Sequence, residues 1–284
     1  MAARRAIEPD RPSTHRGGAG EPLVLIHGGG GTSRLWRTTI PLLKPHHDVL
    51  AVTLTGHFGG PAPPPGVQPT IDALVDGVER DMDRAGFATA HVSGGSLGGW
   101  VALELARRGR ARSVVAIAPA GGWEKGSREV RRVAWIYRVL VVGSRLFGRF
   151  AHFMAARPRL RRLAVWHHFA HPERMSPADF EYLVAGAAGA TSLLDGIAWA
   201  LGQPAAERLD EIACPVLLAF PEKDHILPRT RYGERFVAGI PHAEVVDLPG
   251  VGHAAMVDDP ELVARTILAF TARHAAEERA GAAV

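Results

Sequence analysis

The chain has 284 residues, of which 46% are hydrophobic and 22% charged, with a formal net charge of +4. That composition excludes a disordered or fibrous protein and suits one large domain, or a domain carrying an insertion, with a core that needs no disulfides. The sole cysteine, Cys214, excludes an intrachain bridge. The modest charge, carried by arginine with only Lys44, Lys125 and Lys223 as lysines, comes with no recognisable nucleic-acid module, so no nucleic-acid partner is expected. Arg4 and Arg5 precede no apolar run of the signal-peptide kind. The longest apolar stretch, 133–143, is about half of the roughly 20 residues a membrane helix needs, and Arg138 interrupts it. A soluble cytoplasmic protein without stable membrane insertion is the expectation.

Residues 1–20, with Pro9, Pro12 and several glycines, read as a tail. The apolar run 21–27 predicts a short buried strand that stops at Gly28-Gly29-Gly30-Gly31. This loop lacks the G-x-x-x-x-G-K-S/T pattern of a phosphate cradle. It fits better as a turn whose backbone N–H groups face a reacting oxygen. A helix is predicted over 33–43, then a second strand over 47–54 closing at Thr55-Gly56-His57. The proline- and glycine-rich stretch 59–69 must be loop. Thr70 caps a helix over 71–86, whose Ile71, Leu74, Val75, Val78 and Met82 repeat at helical spacing.

Gly94-Gly95-Ser96-Leu97-Gly98 matches G-x-S-x-G, in which a serine sits on a strained turn between strand and helix. A serine at positive φ presses the residues two positions to either side together, so those positions need to lack a Cβ. Gly94 and Gly98 meet that need. A short apolar strand precedes the motif, and Trp100, Val101, Leu103 and Leu105 predict a helix after it. Another apolar strand is predicted over 113–118. Strands apolar on both faces and separated by helices imply an α/β fold with a mostly parallel sheet covered on both sides. From 123 to 204 only helical, aromatic-rich patterning appears, which reads as an insertion. Strand patterning resumes over 215–220 and 244–248, with a helix over 230–238 between them and a last one over 260–274.

Taken together, His27-Gly28-Gly29-Gly30-Gly31, Gly56-His57, the turn at Ser96, Asp224-His225-Ile226-Leu227-Pro228 and Gly252-His253 resemble, in order, the landmarks of the α/β-hydrolase fold. The resemblance runs over 21–274 apart from the insertion. It implies core segments at 21–122 and 205–284 around a helical cap at 123–204. Carried over residue by residue, it implies Ser96 as nucleophile, His253 as general base and then acid, and Asp224 as the acid that orients the imidazole. It also implies backbone oxyanion donors at Leu97 and Gly29. Glu124, after the preceding strand, is the rival acid. His27 and His57 read as structural loop residues, and His225 as an exposed neighbour of the acid. His167, His168 and His171 are spaced so that two share a helix face, but no carboxylate or cysteine joins them at metal-site spacing. No metal and no cofactor are expected.

The expected partner is a small-molecule substrate, with oligomeric state open. A serine in the turn argues against relatives that use aspartate there, such as epoxide hydrolases and haloalkane dehalogenases. Hydrolysis of a carboxylic ester leads. Thioester, lactone, amide and carbon–carbon bond hydrolysis use the same apparatus, as does a cofactor-free haloperoxidase. Gly94-Gly95-Ser96 and His27-Gly28-Gly29 also resemble proline iminopeptidases, although Leu97 stands where that pattern has tryptophan. A non-catalytic ligand-binding member is the alternative outside enzymes. Between 123 and 204, twelve basic residues face six acidic ones. That balance suits an acidic substrate or a membrane surface, or simply a solvated helical face.

Overall fold

The structure is a computed structural model that describes residues 14–203 and 206–281. A seven-stranded sheet forms its centre, in the order β1-β3-β2-β4-β5-β6-β7. The strands are β1 (His15–Gly17), β2 (Glu21–Ile26), β3 (His47–Val52), β4 (Ala90–Gly95), β5 (Ala111–Ile117), β6 (Val216–Pro221) and β7 (Glu244–Leu248). All neighbours pair in parallel except β1, which runs antiparallel to β3. Residues 1–13 of the expected tail lie outside the described residues. His15–Gly17, expected as tail, instead pair with Val49–Ala51. This strand is polar and only three residues long, so it lacks any apolar alternation by which to be read.

The helices are α1 (Ile40–Leu43), α2 (Ile71–Ala85), α3 (Leu97–Arg107), α4 (Arg128–Phe147), α5 (Ala151–Ala155), α6 (Pro158–Val165), α7 (Pro177–Gly189), α8 (Leu193–Gly202), α9 (Arg229–Tyr232), α10 (Glu234–Gly239), α11 (Ala255–Asp258) and α12 (Pro260–Gly281). Side chains alternate across the sheet between two apolar layers. Val24, Ile26, Val114, Ala116 and Leu218 face the layer containing α2, α3 and part of α4. Leu23, Leu25, Val115, Ile117 and Leu217 face the layer built with α1 and α12. Burial on both faces is why these strands read as continuous apolar runs.

Two expected helices break. The run 33–43 becomes a 3-10 turn at Ser33–Trp36 followed by α1, which carries Pro41 in its first turn. Proline cannot supply an interior helical N–H but is tolerated at a helix start. The run 230–238 divides into α9 and α10 at Gly233, where a Cβ would lie 2.7 Å from the Phe220 ring.

Helices α4 to α8 fall between β5 and β6 in the chain and contact the loops at the strands' C-terminal ends. A Cβ on Gly30 would meet Leu193 and Ala187, one on Gly56 would meet Ser192, and one on Gly252 would meet Phe169 and Ala170. No single helix among the described residues is long and apolar enough to cross a membrane.

The turn after β4 has no spare volume. A Cβ on Gly94 would sit 2.1 Å from the Gly98 carbonyl oxygen, and one on Gly98 2.3 Å from that of Ile26. Both obstacles are backbone, which no side-chain rotation relieves. Gly98→Ala is therefore expected to destabilise the fold by about 2 kcal/mol or more. Gly143→Ala, in α4 with nothing near its Cβ, should stabilise by about 0.5–1 kcal/mol. Urea unfolding of both variants checks the pair. Equal effects would contradict the packing account.

Candidate active site

Ser96 stands between β4 and α3 at φ 56° and ψ −117°. The left-handed φ is held by its neighbours: the Ser96 N–H donates to Ile117 O at 2.9 Å, and its carbonyl accepts from Gly99, Trp100 and Ala120. Strain of this kind costs about 1–3 kcal/mol and persists only where the surroundings over-determine it. The glycine loop after β2 passes directly over the hydroxyl, for a Cβ on Gly28 would lie 3.8 Å from Ser96 Oγ. Leu97 begins α3, so its N–H lies at the partially positive end of the helix. Among the described residues neither the Leu97 nor the Gly29 N–H donates a hydrogen bond.

Asp224 follows β6 and His253 follows β7. His253 Nδ1 lies 2.8 Å from Asp224 Oδ2, and both residues are buried. The other Asp224 oxygen accepts from the Ile226 and Leu227 N–H groups at 2.7 and 2.9 Å. Burial pushes the Asp224 carboxyl up. The His253 charge, its hydrogen bond and the two backbone donors outweigh that, leaving it below the usual carboxylate range. An ionised Asp224 accepts the Nδ1 proton, which leaves Nε2 as the imidazole's available acceptor. His253 Nε2 is buried with no protein partner among the described residues, and His253 lines the same chamber as Ser96 and Gly28. The structure thus brings Asp224 to His253. Glu124 stays solvent-exposed and is not brought to it.

The other histidines separate. His27 Nε2 accepts from the Leu54 N–H while Nδ1 donates to Gly28 O, so the ring ties the glycine loop to the end of β3. Burial, then the charge of His57, lowers its pKa to about 3. Burial lowers His57 to about 4. His225 is exposed, as expected. His167, His168 and His171 do not share a helix face, because α6 ends at Val165. His171 is engaged by Glu173 and Gly250 O.

Three residues at the site carry no pattern that marks them for this site in the sequence. Tyr137, on α4, is buried with its hydroxyl facing Ser96, and burial pushes its pKa up to about 12, so it stays protonated. His168 lies beside His253, ring centroids 6.2 Å apart. Burial, then the charges of His253 and His167, lowers it to about 3. Its Nε2 is enclosed without a partner among the described residues. Asp258 is 1% exposed. It accepts from the N–H groups of Gly252, Ala170 and His171, joining the loop that bears His253 to the turn that bears His168. In sequence, Asp258-Asp259-Pro260 signals only a helix start.

Ser96, Gly29 and Tyr137 stand where two apolar chambers meet. One is lined by Trp100, Trp123, Val133, Leu193, Ile197 and Trp199. The other contains His253, His168, Val165, Leu183 and Met256.

The profile of the Alpha/beta hydrolase family matches residues 23–266, and the chain belongs to that family. It is accordingly an enzyme of the hydrolase class. The "Epoxide hydrolase EphH" of Mycobacterium tuberculosis is 35% identical over 202 residues, 69% of this chain and 92% of that protein. A "Putative carbamate hydrolase RutD" of Azorhizobium caulinodans is 28% identical over 254 residues, 89% of this chain and 92% of that protein. A thermophilic esterase from Thermogutta terrifontis, 21% identical, superposes with a TM-score of 0.71 over 92% of this chain and 93% of its own.

His27, His57 and His168 are neutral in the fold and take up protons when unfolded. Their folded pKa values lie below the usual 6.5. The stability they supply is therefore whole above that value and is lost as pH falls toward 4 and 3. Near pH 5 these three groups alone add about three protons on unfolding. Denaturant unfolding across pH should show that slope, and His57→Gln should reduce it by about one proton. An unchanged slope in the variant would contradict the assignment.

Proposed function

We propose that the chain is a serine hydrolase that cleaves an ester-type acyl bond of a small apolar molecule in the cytoplasm, with helices α4 to α8 as its cap. The observation that carries this reading is the buried Asp224–His253 pair, whose free Nε2 shares a chamber with the strained Ser96. In this reading His253 Nε2 takes the Ser96 hydroxyl proton as Oγ attacks the carbonyl carbon. The negative charge that develops on the carbonyl oxygen is met by the Leu97 and Gly29 N–H groups. His253 then returns the proton to the leaving oxygen, and water, deprotonated by the same nitrogen, hydrolyses the acyl-serine. Asp224 stays ionised and stabilises the imidazolium.

In this reading each half of the substrate takes one of the two chambers. A proton from His253 must reach the leaving group, so that half occupies the chamber with His253 and His168. The acyl half occupies the chamber lined by Trp100, Trp123 and Trp199. The unpartnered His168 Nε2 gives a polar atom on the leaving group something to bond with, since a buried unpaired nitrogen costs about 1–3 kcal/mol. Tyr137, protonated and facing Ser96, holds the divide between the chambers.

The named resemblance to an epoxide hydrolase gives a second reading its place in the test. Attack by a serine on an epoxide leaves an alkyl ether, which lacks the carbonyl carbon that water attacks to release an acyl-serine. Ester chemistry is therefore the reading that Ser96 favours.

The test is turnover of p-nitrophenyl esters and of a styrene-oxide-type epoxide by wild type, Ser96→Ala, Asp224→Ala and Glu124→Ala. Ester hydrolysis should dominate. It should fall about 10⁴-fold or more in the first two variants and stay within about twofold in the third. Near-normal ester turnover by Ser96→Ala, or preferred epoxide turnover, would overturn the reading.

A further inference from the structure

The helical insertion has an outer face that the acyl-transfer chemistry leaves unused. On α4, Val130, Val133, Tyr137 and Val141 form the buried stripe. On the opposite side Trp135, Val139, Val142 and Leu146 recur at helical spacing and are exposed, Trp135 at 66% and Leu146 at 62%. Phe147 and Phe150, also exposed, extend this surface. Between α4, α5 and α7 it opens into an apolar groove of about 460 Å3 lined by Trp135, Val139, Phe147, Phe150, Met154 and Phe180. The groove meets the leaving-group chamber, because Leu140, Val165, His168 and Leu183 line both. Contiguous exposed apolar surface of this kind marks an interaction site in a soluble protein.

Charge selects the partner. Residues 131–166 contain nine arginines and no aspartate or glutamate. Arg131, Arg138, Arg145, Arg149, Arg157 and Arg159 are exposed around the apolar face. Elsewhere in the insertion, Asp179 pairs with Arg34 and Arg37, Glu181 with His152, and Glu173 with His171. Among the described residues, none of the nine arginines is in an ion pair with a carboxylate. A second copy docked face to face would set arginine against arginine with no carboxylate between them. An anionic phospholipid surface complements both features. Its phosphates match the guanidinium groups, and its interfacial zone accepts tryptophan and phenylalanine rings.

We propose that this face docks the enzyme reversibly on an anionic phospholipid surface. The attachment is peripheral, in the manner of an amphipathic helix lying in the interface, and involves no spanning segment. A lipophilic substrate then enters the groove from the lipid side and reaches the chamber beside Ser96 without crossing bulk water. The docking itself does not rest on which acyl bond is cleaved, so sedimentation reads it independently of activity.

The experiment is cosedimentation of the full chain with phosphatidylcholine vesicles and with vesicles also containing phosphatidylglycerol. Binding is expected only to the second kind and should weaken with salt. Arg138→Glu and Arg149→Glu should each lower the partition coefficient about thirtyfold, since one elementary charge near such a surface changes it about fivefold and reversal counts twice. Trp135→Ser combined with Leu146→Ser should also release the protein. Arg138 and Arg149 are solvent-exposed and lie outside the groove lining, so p-nitrophenyl ester turnover in solution by their variants should stay at the wild-type level. No preference for phosphatidylglycerol vesicles, undiminished binding in the variants, or a dimer in solution that Trp135→Ser dissociates would overturn the proposal.

Discussion

A serine held at φ 56° between a buried strand and a helix is the constraint on which the site depends. That conformation brings Gly94 against the backbone of Gly98, and Gly98 against the carbonyls of Ile26 and His27. The turn at Ser96 is thereby locked to the end of β2, and the glycine loop that continues from β2 has to cross above the hydroxyl. One strained residue so fixes how two neighbouring strands end and where their backbone donors stand. The parallel sheet supplies the remainder: β6 and β7 end on the same side, and their loops deliver Asp224 and His253.

Low dielectric and ordered charge work together around this turn. Asp224 stays ionised despite burial because three donors converge on it. His27, His57 and His168 stay neutral because burial outweighs the backbone carbonyls beside the first two and the Asp224 charge near the third. Contacts from outside the core hold the arrangement. Arg132 of α4 donates to the carbonyls of His225 and Ile226, steadying the Asp224 loop. Asp258 gathers N–H groups from the loops of His253 and His168. The helical insertion is thus bonded to the same two loops that carry Asp224 and His253.

Features whose cause is local were legible in the sequence. The apolar strand runs, the glycines about Ser96, the Thr70 helix cap and the order of Ser96, Asp224 and His253 all lie in short windows. Glu124 and Asp224 both followed strands, and only the pairing of β5 with β6 and β6 with β7 decides which carboxyl meets His253. Tyr137 read as one aromatic among many in a helical segment, because helical spacing reveals the buried side but not what it is buried against. His168 resembled part of a possible metal pair for the same reason. The β1 strand is not legible because a three-residue edge strand, His15–Gly17, has no apolar periodicity, and Asp258 is not because its partners are backbone groups from distant turns.

The proposed chemistry requires Ser96 to react as a nucleophile in the folded protein. The most direct measurement is reaction of the intact enzyme with a fluorophosphonate, followed by peptide mapping of the phosphonylated residue. Stoichiometric labelling at Ser96 that is lost on unfolding and sharply slowed in His253→Ala is the predicted result. A folded enzyme left unlabelled, or labelled at another serine, would contradict it.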